Sequence, residues 1–239
     1  MIKLVVSGCY GRMGQRITHL ACEDKTFRIA ALLENPNHPS INEEFHGIKI
    51  NSDAHVIKGS DVLIEFTTPE ATLVNLYSCV KHKVNMVIGT TGLLPEQIVE
   101  IEKASKKIAI VFSSNMSVGV NIIFGLAKEA VAKAGPSYRV KIIETHHIHK
   151  KDKPSGTAKT LAEFVEKGSG IPVTEIDSLR EGEVIGNHEV ILESPEDTIK
   201  IYHSAKTRDI FAKGALVAAK FLAKKQKGLF NMQDVLGMK

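Results

Sequence analysis

No apolar run in this 239-residue chain is long enough to cross a bilayer as a helix, so no membrane-spanning helix is expected. Met1-Ile-Lys-Leu-Val-Val6 passes straight into a glycine-rich turn, with no basic n-region and no small-residue cleavage site. The reading is of a cytoplasmic protein without a membrane partner. Tryptophan is absent, and cysteine is represented only by Cys9, Cys22 and Cys79, odd in number and outside any Cys-x-x-Cys pair. A disulfide framework is thereby excluded, and free thiols in a reducing compartment are expected. Strong charge of either sign is missing too: 31 lysines and arginines face 27 acids, giving +4. The lysines are spread through helical segments, which argues against nucleic acid as a partner while suiting small anions. Repeats and low-complexity tracts are also lacking.

What is present is ordinary α/β composition, 43% hydrophobic and 24% charged, long enough for two modest domains. One stretch stands out, Glu144-Thr-His-His-Ile-His-Lys-Lys-Asp-Lys-Pro-Ser-Gly-Thr-Ala158. It follows an apolar, strand-like Val140-Lys-Ile-Ile143 and precedes a helical pattern from Ser155 to Glu166. Pro154 disfavours helix at Lys153, and Ser155 or Thr157 is placed to cap a new one. The amides of Ser155, Gly156 and Thr157 then point out from a positive helix end, where an anion sits. Nearby lysines add charge, and His146, His147 and His149 exchange protons near neutral pH. A small acid bound where protons are handled is the expectation. The alternative for any basic loop is solvated surface, which has no use for paired histidines at a strand end. Zinc on His146, His147, His149 and Asp152 is the other alternative; successive residues of a strand face opposite ways and the lysines repel a cation.

The front half repeats strand, loop and helix. Ile2–Ser7 is a strand, and Gly8-Cys9-Tyr10-Gly11-Arg12-Met13-Gly14 is a turn opening a helix. Its glycines let the backbone turn and approach a pyrophosphate. A second strand, Arg28–Leu33, ends in Glu34, some twenty residues beyond the turn, where an acid holds ribose hydroxyls. Together these predict a dinucleotide site. Glu34 and the uncharged Asn35 favour NADH, with NADPH also accepted and Arg12 within reach of its extra phosphate. Further strands are expected at Ile48–Ile50, Val62–Phe66, Met86–Ile88 and Ile108–Phe112. The turns after the last two, Gly89-Thr90-Thr91-Gly92 and Ser113-Ser114-Asn115-Met116, should face the nicotinamide half.

Ser117–Asn121 opens a long apolar helix to about Ala134, taken as the crossover into a second domain. That domain carries the His-rich strand, the helix from Ser155, and β-rich segments at Asn187–Leu192 and Thr198–His203. An amphipathic helix from Arg208 to Lys225 returns to the first domain. The predicted fold is α/β: a Rossmann-like doubly wound parallel sheet, with a second α+β domain carrying an open mixed sheet. Residues 1–117 plus 208–239 form the dinucleotide-binding domain, and 118–207 the substrate-binding and oligomerisation domain.

With those motifs in view, Glu144-x-His146-His147-x-His149-Lys150-x-Asp152-x-Pro154-Ser155-Gly156-Thr157-Ala158 resembles the signature of the 4-hydroxy-tetrahydrodipicolinate reductase family of diaminopimelate and lysine biosynthesis. Gly8–Gly14, Phe66–Glu70, Val87–Gly92, Asn115–Asn121 and the closing Gly228–Leu236 fall in family order. The resemblance implies an NAD(P)H-dependent oxidoreductase. It makes Gly8, Cys9, Tyr10, Gly11, Arg12, Met13, Glu34, Gly89, Thr90, Thr91, Ser113, Ser114, Asn115 and Met116 cofactor contacts. His146 becomes a proton donor or acceptor and Lys150 a proton donor, with His147, Ser155, Gly156 and Thr157 on a dicarboxylate substrate. It also implies a homotetramer built through the second domain's sheets, and no metal. Asn35 departs from the basic residue of members that hold NADPH well, and the segment 168–182 is short. A non-catalytic nicotinamide sensor of the same fold is the rival reading, and a metal-assisted hydrolase a lesser one.

Overall fold

Short runs of apolar side chains separated by helices build the front of the chain in the computed structural model, which describes residues 1–238. In order they are β1 (Ile2–Ser7), α1 (Arg12–Glu23), β2 (Phe27–Leu33), β3 (Glu44–Phe45) and β4 (Ile48–Asn51). A single 3-10 turn, Ala54–Ile57, leads to β5 (Val62–Glu65), α2 (Pro69–His82), β6 (Asn85–Ile88), α3 (Pro95–Ser105) and β7 (Ala109–Phe112). Helix α2 starts where the sequence signals it: Pro69 occupies the first turn and the Thr68 hydroxyl accepts from the Ala71 amide.

The chain then forms a unit spanning Val118–Ile210. It holds α4 (Val118–Ala134), β8 (Arg139–His146), α5 (Gly156–Ser169), β9 (Val173–Arg180), β10 (Asn187–Glu193) and β11 (Thr198–Ser204). The sheet order is β11-β10-β8-β9, with β8 and β9 parallel and the other pairs antiparallel. One face packs on the two helices: Val140, Ile142, Val190 and Leu192 meet Phe124, Ala127, Leu161 and Val165. Each such Val, Leu, Ile or Phe side chain, fully buried, contributes about 1.5–3 kcal/mol. The opposite face carries Lys141 paired to Glu175 and Asp177, and leaves Leu179 and Tyr202 exposed. This is the open mixed sheet expected from the sequence. Strand β9, by contrast, has no counterpart among the strands that the sequence pattern predicts.

After β11 come α6 (Asp209–Leu222), β12 (Gly228–Phe230) and α7 (Met232–Leu236). Residues Phe211–Gly237 join Met1–Ser117 in the other unit. Its sheet runs β12-β7-β6-β5-β1-β2-β4-β3, parallel except for the β3–β4 pair. The crossing at β1, from β2 on one side to β5 on the other, is the doubly wound arrangement. Ala31, Leu63, Met86 and Ile110 pack against Leu76 and Cys79 of α2 and Ile101 of α3. Asn85 staples the returning segment, donating to the carbonyls of Leu222 and Lys225 at 2.9 and 3.0 Å while accepting from the Ala109 amide at 2.9 Å. No helix of the described residues is long and apolar enough to cross a membrane.

Candidate active site

In the first unit the carboxyl ends of β1, β2 and β5 meet around the glycine turn. The Gly8 and Cys9 amides both donate to the Leu33 carbonyl, at 2.9 and 3.1 Å, and Gly11 donates to the Gly8 carbonyl at 2.9 Å. Gly8 has φ +68°, and a Cβ on Gly14 would lie 1.9 Å from the Gly8 oxygen. Only glycine allows the helix to start this close to the turn. Glu34 closes the ring: one carboxylate oxygen accepts from the Tyr10 amide at 2.9 Å, the other from Asn35 at 2.8 Å. The Tyr10 ring stacks on His38 at 4.8 Å. A cavity of about 720 Å³ opens here, lined by Ser7, Gly8, Gly11, Glu34, Asn35 and Thr67 among others. Its size, its glycine-lined backbone and its acid fit the adenosine and pyrophosphate of a dinucleotide.

Arg12 and Met13 occupy the first turn of α1, Arg12 exposed. The Cys9 thiol is fully buried and burial pushes it up to about 12, so it fills space and stays protonated. Gly89 is required by contact, since a Cβ there would sit 2.3 Å from the Phe66 ring. The Thr90 hydroxyl is committed inward, accepting from the Thr67 amide at 3.1 Å and bonding Thr72 at 2.9 Å, whereas Thr91 is exposed. Ser113 and Ser114 are on the surface side of their turn; Asn115 and Met116 are buried, and Asn115 accepts from the Ser117 amide at 2.8 Å. At the end of β5 lies Glu65, to which the sequence pattern assigns no role. It has no exposed surface, and Asn75 donates to it at 2.6 Å and to the Ser7 hydroxyl at 2.9 Å, while Thr67 donates to its other oxygen. Burial pushes its pKa upward.

In the second unit the end of β8 carries the chemistry. Alternation along the strand puts Glu144 and His146 on the same face, buried to 0% and 8% exposure. His146 Nδ1 bonds one Glu144 oxygen, and both terminal nitrogens of Arg180 donate to the other at 3.1 Å. The Arg180 guanidinium also donates to the carbonyls of Lys150, at 3.2 Å, and Asp152. Lys150 Nζ lies 2.8 Å from Asp152. Ser155 is the cap of α5, its hydroxyl accepting from Ala158 at 3.2 Å. Its own amide donates to Glu144 at 3.3 Å, so the outward-pointing N–H expected there is turned inward. Gly156 and Thr157 form the first turn of that helix. His147 is half-buried with Nδ1 unpartnered, and His149 is exposed beside Glu183. His188 packs edge-on against His146 at 5.2 Å.

Electrostatics follow from this packing. Burial pulls His146 below its ordinary value, opposed by Glu144 and reinforced by Lys150 and Arg180. Burial likewise holds His188 down at about 3. For Glu144 burial opposes the charge, yet Ser178, His146 and Arg180 outweigh it and keep the carboxyl low. A neutral imidazole beside a cationic loop and a helix N-terminus can bind an anion and take up a proton as it does so.

The sequence points to His146, Lys150 and Ser155, which this unit gathers around Glu144. Glu144 itself carries no role in that reading, and Arg180, His188 and Glu65 are missing from it. The two-residue spacing from Glu144 to His146 is the available signal; Arg180 arrives from a strand that lacks an apolar pattern.

Comparison with known proteins gives the family. The model for the N-terminal part of dihydrodipicolinate reductase matches residues 2–116, and that for its C-terminal part matches 119–236. The chain is 40% identical to the 4-hydroxy-tetrahydrodipicolinate reductase of Nitrosomonas eutropha, covering 100% of this chain and 99% of that protein. It is 37% identical to the enzyme of the same name from Geotalea daltonii, covering both chains fully. In fold it matches the dipicolinate-bound dihydrodipicolinate reductase of Paenisporosarcina sp. TG-14, with TM-score 0.84, 21% identity and 98% of each chain covered. With both halves matched and the likeness running end to end, the chain belongs to the dihydrodipicolinate reductase family, whose NAD(P)H-linked oxidoreductase activity it shares.

Proposed function

We propose that the unit built on β1–β7 holds the reduced nicotinamide dinucleotide and that the unit of β8–β11 binds and protonates 4-hydroxy-tetrahydrodipicolinate, yielding tetrahydrodipicolinate for diaminopimelate and lysine formation. The observation that carries this is the knot around Glu144, which ties a buried imidazole, the Lys150 loop and the α5 N-terminus into one framework. Gly8, Cys9, Tyr10, Gly11, Arg12, Met13 and Glu34 would hold the adenosine and pyrophosphate, with the 89–91 and 113–116 turns towards the nicotinamide. The cofactor, when bound, supplies the hydride.

The substrate carries two carboxylates on a cyclic imine precursor. Lys150 and the amides of Gly156 and Thr157 grip them, helped by Ser155 as cap and by His147. The arriving negative charge raises the pKa of His146, which is held neutral by burial in the free protein. The 4-hydroxyl leaves as water, the ring gains a hydride, and the His146 imidazole carries the proton that completes the reduction, with Lys150 as the second donor. Such acid–base assistance is worth about 10²–10⁴-fold.

Glu34 beside an uncharged Asn35 supports NADH over NADPH, since a 2′-phosphate would meet a carboxylate. The free face of the β8–β11 sheet, with Leu179 51% and Tyr202 58% exposed, supports assembly into a homotetramer. The test is direct. Purified chain is mixed with substrate made freshly from pyruvate and aspartate semialdehyde, and reduced-nicotinamide absorbance is followed with each cofactor. Turnover, faster with NADH, is expected; binding of cofactor without consumption would sink the reading. Sedimentation should give four chains, and Tyr202→Lys with Leu179→Lys should dissociate them.

A further inference from the structure

Glu144 is the least solvated ionisable group in its unit, and its place is hard to explain as a stabilising device. Removing a carboxylate from water is costly, and a buried ion pair seldom improves on an apolar pair of the same shape. Here the carboxylate makes four hydrogen bonds, one from the His146 ring, two from Arg180 and one from the Ser155 amide. Each donor reaches it from a different element. His146 stands two residues on along β8, Arg180 ends β9, and Ser155 caps α5. Arg180 is the register partner of His146 across the parallel β8–β9 pair, and its guanidinium reaches back along the strand to Glu144.

The two ring nitrogens of His146 are therefore unequal. Nδ1 faces Glu144 and an acceptor-only carboxylate demands a proton there. Nε2 has no hydrogen-bond partner among the described residues. It is approached instead by the backbone of Gly186, where an added Cβ would stand 3.1 Å from Nε2 and 3.4 Å from Cδ2. Glycine at that position leaves the nitrogen uncrowded.

We propose that Glu144 and Arg180 form a positioning pair that fixes His146 as the Nδ1–H tautomer, so that Nε2 is the nitrogen through which the proton passes. Arg180 serves two ends at once, clamping the Glu144 carboxylate and the carbonyls of Lys150 and Asp152. The imidazole and the lysine loop are thus set by one guanidinium. This rests on His146 being the proton-handling side chain. The charged and titratable groups acting on the ring are Glu144, Lys150 and Arg180, with His188 packed edge-on against it, His203 beyond His188, and Asp152 paired to Lys150.

The test uses the full-length chain and three readouts. In protein carrying ¹⁵N-labelled histidine at neutral pH, long-range ¹H–¹⁵N correlations should show His146 protonated at Nδ1; an Nε2–H ring in the unsubstituted protein overturns the proposal. Glu144→Gln should lower kcat by roughly 10²–10⁴-fold, up to the whole of the acid–base assistance that a wrongly protonated imidazole forfeits, with the KM for NADH little changed. It should also move the pH-profile limb due to His146 to lower pH, because Glu144 favours the charged ring. Arg180→Gln should move the limb the other way, since Arg180 disfavours that charge. Glu144→Asp, which retains the carboxylate, should recover part of the loss. If Glu144→Gln does not fold, the tautomer measurement and Glu144→Asp decide. Unchanged turnover in His146→Gln would discard the role of His146 itself. Loss in His146→Gln with unchanged turnover and pH profile in Glu144→Gln would discard only the positioning pair.

Discussion

At the scale of single residues, the glycines divide by what surrounds them. Gly14→Ala forces a methyl to within 1.9 Å of the Gly8 oxygen, a backbone atom that cannot swing aside. Overpacking of this kind costs about 1–3 kcal/mol or more, and both thermal stability and NADH affinity should fall in that variant. Gly156 lies in the first turn of α5, and a Cβ added there would meet nothing within 4 Å. Gly156→Ala should leave stability unchanged or raised by up to about 1 kcal/mol, so a higher KM for substrate there would report on the site and not on folding. The cysteines give a second residue-scale prediction. Cys9 and Cys79 are fully buried with pKa raised by burial, and Cys22 is exposed. Native alkylation read by mass spectrometry should modify Cys22 alone, the other two reacting only after unfolding.

At the scale of elements, Asn85 should matter more than its place on a short strand suggests. It satisfies the carbonyl of Leu222, the last residue of α6, that of Lys225 beyond the helix, and one amide of β7. Asn85→Ala leaves these groups without that partner, and a loss of about 1–3 kcal/mol is expected in urea unfolding. The same scale shows why some elements are legible in the sequence and others are not. Strands β1, β2, β5, β6 and β7 each hold a short apolar run buried on both faces, residues 4–6, 31–33, 62–64, 86–88 and 109–111, and such a run stands out in the sequence at once. Helix α5 is equally plain from Pro154 and Ser155. Strand β9 reads Val-Thr-Glu-Ile-Asp-Ser-Leu-Arg, an edge strand whose outward Glu175 and Asp177 are placed by Lys141 of its neighbour. Its partner supplies the reason for its sequence, and a partner some thirty residues away along the chain leaves no local pattern. Arg180 is hidden for that reason, and with it the clamp on Glu144. His146 and Lys150 are visible because their motif is contiguous.

At the scale of the whole molecule, acid should weaken the unit of β8–β11 before carboxylate titration becomes important. His188 is buried neutral, held at about 3 against an ordinary 6.5, and His203 is lowered in the same direction. Once unfolded, both rings take up protons below pH 6.5. Their contribution is therefore intact above that value and is lost as pH falls from 6.5 towards 3. Between pH 7.5 and 5 the His188 share is about 2 kcal/mol by this linkage. Denaturant midpoints across that range should drop accordingly, and His188→Gln should flatten the dependence; an unchanged slope would show that the ring is protonated in the folded chain.

The order of the sheet around β7 also bears on how the chain comes off the ribosome. Strand β7 ends at Phe112, but its outer neighbour β12 and the helix α6 lie beyond residue 208. At about 5–20 residues per second, the nascent sheet waits several seconds with a bare apolar margin while the intervening unit is made. A chain stalled in that interval is an open template for strand addition by another copy. Translation arrested between β7 and β12 should accordingly recruit holdase chaperones, and release of the final thirty residues should dismiss them.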